Sequence, residues 1–262
     1  MLSNEDLEKI EYRYLETISS ALKSSVSSMV DGLKSMNKIK DYWSKTHKRG
    51  DGFDSGFERI IYSVLQSNTT DLGKPNSCMV GADLFFESPD AFIHIDAKSY
   101  QPRTNTKDHW RNKIEANQSS YKTNYQVSND QRIFEPNLPS YYNIDGTDKP
   151  ALTYFVNILY SSEFDQNDIF QNLEILNVNV SSMPNGQLID TYQNDMIAPG
   201  GNIDPKKVRF KMFDHDNNNV LKFRLLNNNP NRVKLIYIDN DLIQSTISDA
   251  KTPLLKFLSL IN

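Results

Sequence analysis

Cysteine is almost missing from this sequence: Cys78 is the single one in 262 residues. A disulfide framework is excluded, and so is a zinc site built from several cysteines. The expected compartment is one that does not depend on oxidised thiols. Long apolar runs are missing too. No stretch approaches the roughly 18 apolar residues of a membrane-spanning helix. The charged opening MLSNEDLEKIEYRY has no apolar signal-peptide core. No membrane partner is expected, and the cytoplasm is the expected location. There is no excess of positive charge, since 29 Lys and Arg stand against 33 Asp and Glu, a net charge of −4. That excludes a basic tail or a polyanion-coating protein. It leaves room for a nucleic-acid enzyme whose positive charge is confined to a cleft. No Gly-rich phosphate loop occurs. His47, His94, His109 and His215 are too scattered for a metal triad. The run Asp214-His215-Asp216 starts like a calcium loop, but the required Gly falls on Asn219 and the required Glu on Leu225. A hairpin turn is the reading left for it.

What is present suffices for a packed core: 38% of residues are hydrophobic and 11% aromatic. Residues 4–48 read as helix, with Leu7, Ile10, Tyr14, Ile18, Leu22, Val26, Met29, Leu33 and Met36 recurring every three to four positions. Ser3 with Asp6 suggests an N-terminal cap, and a break is expected near Gly32. A second helix is expected over 55–67 and a third over 106–122, while 123–150 reads as loop. Residues 78–87 and 91–100 read as strands joined at Ser88-Pro89-Asp90, a hairpin. Further strands are expected at 151–160, 173–182 and 232–238, a hairpin at 208–213 and 220–226, and a short helix over the last residues. With no repeat and no linker, these make one mixed α+β domain spanning 1–262.

The segment VGADLFFESPDAFIHIDAKSY carries the chemistry. Strand side chains alternate, so His94, Asp96 and Lys98 share one face while Ile93, Ile95 and Ala97 take the other. Charged groups inside so apolar a strand are expensive unless paired or metal-bound. A tight hairpin at Pro89 brings Asp83 beside Asp96, with Lys98 one strand repeat along. Carboxylate oxygens with a backbone carbonyl suit Mg²⁺. Asp204-Pro205-Lys206 has the same spacing, but Pro205 denies it a central strand. His94 reads as a hydrogen-bonded strand residue.

Asp83, followed by Asp96-Ala97-Lys98 on the next strand, resembles the signature of the PD-(D/E)XK nuclease superfamily. Ala82 stands where the signature has Pro. The order helix, Asp strand, Asp-X-Lys strand, helix, apolar strand is similar to that superfamily's core and covers about residues 55–160. The resemblance implies an α/β, restriction-endonuclease-like core, a central mixed sheet flanked by helices. Residues 1–48 would add a helical region and 161–262 extra strands. It also implies Mg²⁺-assisted phosphodiester hydrolysis. Asp83, Asp96 and the Ala97 carbonyl would hold the metal, and Lys98 would orient the attacking water. Glu58, on the preceding helix, would act through water or at a second metal. Arg103, Lys107 and Arg111 follow the motif and would neutralise DNA phosphates. Within the superfamily the chain looks most like a type II restriction endonuclease, a homodimer cutting a short sequence in double-stranded DNA, in a bacterial or archaeal cytoplasm. Two alternatives stay open. One is a repair or recombination nuclease of the same fold, although Gln118 and Tyr121 miss the spacing of the RecB-like helix motif. The other is a non-catalytic DNA-binding module in which Asp83, Asp96 and Lys98 are structural.

Overall fold

The computed structural model describes residues 2–38, 51–76, 82–100, 113–115, 119–120, 125–126, 133–134, 136, 138–164, 170–192, 209–211, 213–215, 221–223, 230–239 and 241. Helix α1 (Asn4–Ser24) is capped by Ser3, whose side chain accepts from the Asp6 N–H at 3.1 Å. This is the cap expected from the sequence. The expected break near Gly32 lies instead at Ser25, where the backbone leaves the helical region before α2 (Val26–Lys34) and a 3₁₀ turn (Ser35–Lys38). Ser24 back-bonds to the Ala21 carbonyl at 2.9 Å, a contact that competes with the helix ladder. Gly32 sits inside α2, where a Cβ would stand 3.4 Å from Ile60 Cδ1. It continues the helix and does not reverse the chain. Helix α3 (Asp51–Asn68) starts four residues before the expected 55.

The described strands form one seven-stranded sheet and three two-stranded ones. The main sheet contains β1 (Lys74–Pro75), β2 (Leu84–Glu87), β3 (Phe92–Tyr100), β7 (Tyr141–Ile144), β8 (Thr147–Phe164), β9 (Phe170–Met183) and β13 (Val233–Ile238). Its order is β1-β2-β3-β8-β9-β13, with β7 paired to the start of β8. Only the β3–β8 pair is parallel, so the sheet is mixed. One face is apolar. Ile93, Ile95, Leu152, Tyr154, Val156, Ile158, Val178 and Val180 are buried in a single core with Leu15, Ile18, Leu22, Met29, Leu33, Phe57 and Ile61 of the three helices. Burying these large side chains against one sheet face is the main driving force for the fold.

A parallel neighbour requires a long crossover, and two expectations fail within it. In the stretch expected as the 106–122 helix, 113–115 is a strand, β4 (Lys113–Glu115), paired with β10 (Arg209–Lys211). Lys113-Ile114-Glu115 fits a period of two as well as it fits a helix. The distant partner supplies the hydrogen bonds and decides the outcome. In the expected loop 123–150, β5 (Tyr125–Gln126) pairs with β6 (Ile133–Phe134), and β7 makes a hairpin with β8. The turn Asp145-Gly146 has positive φ at both residues, 50° and 82°, the geometry that an Asp-Gly hairpin turn requires. The hairpin expected from 208–213 and 220–226 is split: β10 goes to β4, while β11 (Phe213–His215) pairs with β12 (Leu221–Phe223). The expected C-terminal helix lies outside the described residues. A short helix, α4 (Leu188–Tyr192), follows β9.

Candidate active site

The β2–β3 hairpin builds the site. Its register sets Leu84 opposite Ile95 and Glu87 opposite Phe92. β2 begins at Leu84, so no strand backbone of β2 lies opposite Ala97. The Asp83 side chain takes that place, its Oδ2 accepting the Ala97 N–H at 2.7 Å. In a ladder the N–H and C=O of one residue leave the strand on the same side. The Ala97 carbonyl therefore leaves β3 toward Asp83 as well. Asp83 itself is exposed.

Asp96 is 1% exposed. Lys98 Nζ stands 2.7 Å from its Oδ2, an ion pair on the sheet face opposite the helices. Neither Asp96 oxygen finds a well-formed hydrogen bond among the described residues. Burial pushes the Asp96 carboxyl up to about 8; the nearby Asp83 carboxyl adds to the rise, and the Lys98 ammonium opposes it. Two carboxyls and one amine thus meet at one spot, short of positive charge and short of donors. A hard divalent cation satisfies both deficits: it prefers oxygen ligands and compensates a carboxylate, that of Asp96, which water cannot reach. The donor set Asp83, Asp96 and the Ala97 carbonyl fits Mg²⁺. Among the described residues, no three His, Cys, Asp or Glu side chains gather closely enough to hold an ion. Glu58, half-buried in α3, therefore does not complete such a group with Asp83 and Asp96. Arg103, Lys107 and Arg111 lie outside the described residues, as does Asp204-Pro205-Lys206.

His94 shares the face of Asp96 and is fully buried. Its ring packs 4.6 Å from that of Phe85, and Nε2 is 3.3 Å from the Tyr142 hydroxyl. Burial pushes its pKa down to about 4, so it is neutral near pH 7. Sequence reasoning missed a further set on this face. Thr153 and Asn157 of β8 and Asn177, Asn179 and Ser181 of β9 are all buried. Asn157 Nδ2 donates to Asn179 Oδ1 at 3.0 Å, Asn179 Nδ2 to Asn177 Oδ1 at 2.8 Å, and Asn177 Nδ2 to the Tyr237 carbonyl at 3.0 Å. The signal was the alternation in Asn177-Val178-Asn179-Val180-Ser181, which reads equally well as a solvated face.

Residues 4–166 match the family described as "Type II restriction enzyme MwoI, N-terminal domain", and residues 175–238 match "Type II restriction enzyme MwoI, central domain". Among solved structures, the restriction endonuclease BglI bound to its DNA recognition sequence is similar with a TM-score of 0.65 and 18% identity, over 89% of this chain and 90% of that one. The tetrameric restriction endonuclease SfiI bound to cognate DNA is similar with a TM-score of 0.61 and 17% identity, over 92% of this chain and 87% of that one. At such identities the likeness bears on the fold. No curated protein matches the sequence.

Proposed function

The chain belongs to the family of the type II restriction enzyme MwoI and is a type II restriction endonuclease; from that premise we propose that Asp83, Asp96 and Lys98 form its hydrolytic centre and that it cuts double-stranded DNA with Mg²⁺. The observation that carries this reading is the buried Asp96 carboxyl, with Asp83 at its side, Lys98 at 2.7 Å and no well-formed hydrogen bond among the described residues. Asp83, Asp96 and the Ala97 carbonyl would hold the ion. A bound magnesium supplies Lewis-acid polarisation of the scissile phosphate and a more acidic water. Lys98 orients the attacking water and offsets charge that builds on the phosphate. Glu58 is left without direct coordination and acts, in this reading, through water.

BglI and SfiI were each crystallised on their DNA sites, which supports duplex DNA as the substrate here. Arg103, Lys107 and Arg111 are assigned to its phosphates. A twofold recognition site calls for a twofold protein, so a homodimer is proposed. Among the described residues no helix is long and apolar enough to cross a membrane. The proposed workplace is the cytoplasm of a bacterial or archaeal cell, where its DNA substrate is found. We also read the chain as one nuclease domain, because Thr153–Phe164 of β8 pair with β9 and so join the two matched segments in one sheet.

The test is plasmid cleavage by purified protein with Mg²⁺. Discrete fragments are expected from the wild type and none from Asp96→Ala or Lys98→Ala. Fragments that form equally with these variants would remove the site assignment.

A further inference from the structure

The buried amides of β8 and β9 form a relay with one fixed direction. The Tyr237 carbonyl at the far end can only accept, so Asn177 must present Nδ2 to it and Oδ1 to Asn179. The same logic turns the Asn179 oxygen toward Asn157 and leaves Asn157 with Nδ2 on the β9 side. A weaker contact at 3.5 Å from Asn157 Nδ2 to Ser181 Oγ, also on β9, points the same way. The two heads of an amide diverge from one carbon, and β8 lies between β9 and β3. The Asn157 oxygen is therefore carried away from β9, on the β3 side.

On β3, the in-register partner of Asn157 is Lys98, and that of Phe155 is Asp96. Register partners in adjacent strands share a face. Lys98 is partly exposed on a flexible four-carbon stem, and in this structure its ammonium rests on Asp96 Oδ2. A divalent cation on Asp96 competes for that oxygen and repels the ammonium. Lys98 then needs another acceptor on the same face, at about the same height, if it is to stay aimed at the reacting phosphate.

We propose that Asn157 is a positioning residue for Lys98, its Oδ1 receiving the ammonium when Asp96 engages the metal. The inference rests on the hydrolytic centre proposed above. It gives the relay a role beyond packing: a backbone carbonyl on β13 sets the direction of an oxygen beside the site through three asparagines.

Three measurements test it. Single-turnover cleavage by Asn157→Ala should slow about tenfold or more, as expected for a misplaced catalytic group, with the KM for DNA unchanged. Asn157→Asp keeps the oxygen and loses the amide donors, so its rate should return to within about threefold of wild type while its melting temperature falls. Should Asn157→Ala fail to fold, Asn157→Val, which likewise has no acceptor, is the substitute. Independently of turnover, ¹⁵N-lysine NMR with Ca²⁺ bound should show a hydrogen-bonded Lys98 ammonium in the wild type and in Asn157→Asp but not in Asn157→Ala. The inference is overturned if Asn157→Ala cleaves within about twofold of wild type. It is equally overturned if Asn157→Asp is as slow as Asn157→Ala, or if the Lys98 signal survives in Asn157→Ala. Lys98→Ala separates the two levels. If it still cuts normally, the hydrolytic centre itself is misassigned and this inference goes with it; if it is inactive while Asn157 variants are normal, only the role of Asn157 falls.

Discussion

Asp96 sits where water cannot reach it, and its compensation among the described residues is the Lys98 ammonium. Burying such a group costs stability. Asp96→Asn should therefore melt at or above the wild-type temperature without metal, while cleavage drops by about two orders of magnitude or more. Calorimetry beside a plasmid assay checks both halves. An Asp96→Asn protein that melts well below wild type would show the carboxyl to be a structural anchor. Asp90 shows the opposite balance. It closes the β2–β3 turn onto α1, accepting from Arg13 and Tyr14 at 2.5 Å each. Partial burial pushes its carboxyl up, but the hydrogen bonds from Arg13, Tyr14 and Ser88 outweigh that and hold it below 3.8. A carboxyl with a depressed folded pKa contributes stability that is present above its unfolded value and fades as pH falls through the folded one. Asp90→Asn should thus be less stable than wild type at pH 7, with the gap closing below pH 3.8. Urea melts at pH 7 and at pH 3 measure the change in the gap.

Two tight turns separate conformational strain from collision at the scale of the element. Gly146 ends the β7–β8 turn at φ 82°, and a Cβ there would meet nothing within 4 Å. Gly146→Ala should cost only the left-handed penalty, about 1 kcal/mol. Gly73 precedes β1 at φ 81°, and its Cβ would fall 2.0 Å from the Glu87 carbonyl oxygen at the end of β2. Gly73→Ala must push backbone apart and should cost roughly 2–3 kcal/mol or more. Denaturant midpoints of the two variants rank them, and equal midpoints would contradict the close approach. The site hairpin was legible in the sequence because it is local: Ser88-Pro89-Asp90 turns the chain, and alternation aligns Asp96 with Lys98. The β7 hairpin was signalled by Asp145-Gly146, but Asn, Pro and Tyr around it read as loop. Lys113–Glu115 carried no usable local signal, since three residues satisfy either period and the partner lies near residue 210.

At the scale of the molecule, the N-terminal helix and the last described strand are joined by buried charge. Glu11 of α1 and Arg232, just before β13, pair at 2.7 Å and are 2% and 4% exposed. The Asn185 N–H donates to Glu11 at 2.6 Å, and the Tyr154 hydroxyl donates to the Glu11 carbonyl at 2.8 Å. Burial raises the Glu11 pKa, and Arg232 opposes the rise. Removing one partner strands the other, so Arg232→Met should destabilise by about 3–5 kcal/mol, and adding Glu11→Gln should restore much of the loss. Thermal melts of the single and double variants test this. A double variant no better than the single would mean that each group is held by other partners.

Apolar spacing sufficed to mark the helical stretches that pack on the sheet, though it put the first break near Gly32 and not at Ser25, and one hairpin sufficed to place two carboxylates and a lysine, because both patterns are written in neighbouring residues. The parallel β3–β8 pair, the Glu11–Arg232 link and the burial of the asparagine relay were decided by tertiary structure alone. Each joins groups 50 or more residues apart, or buries a polar face that alternation by itself cannot tell from a wet one.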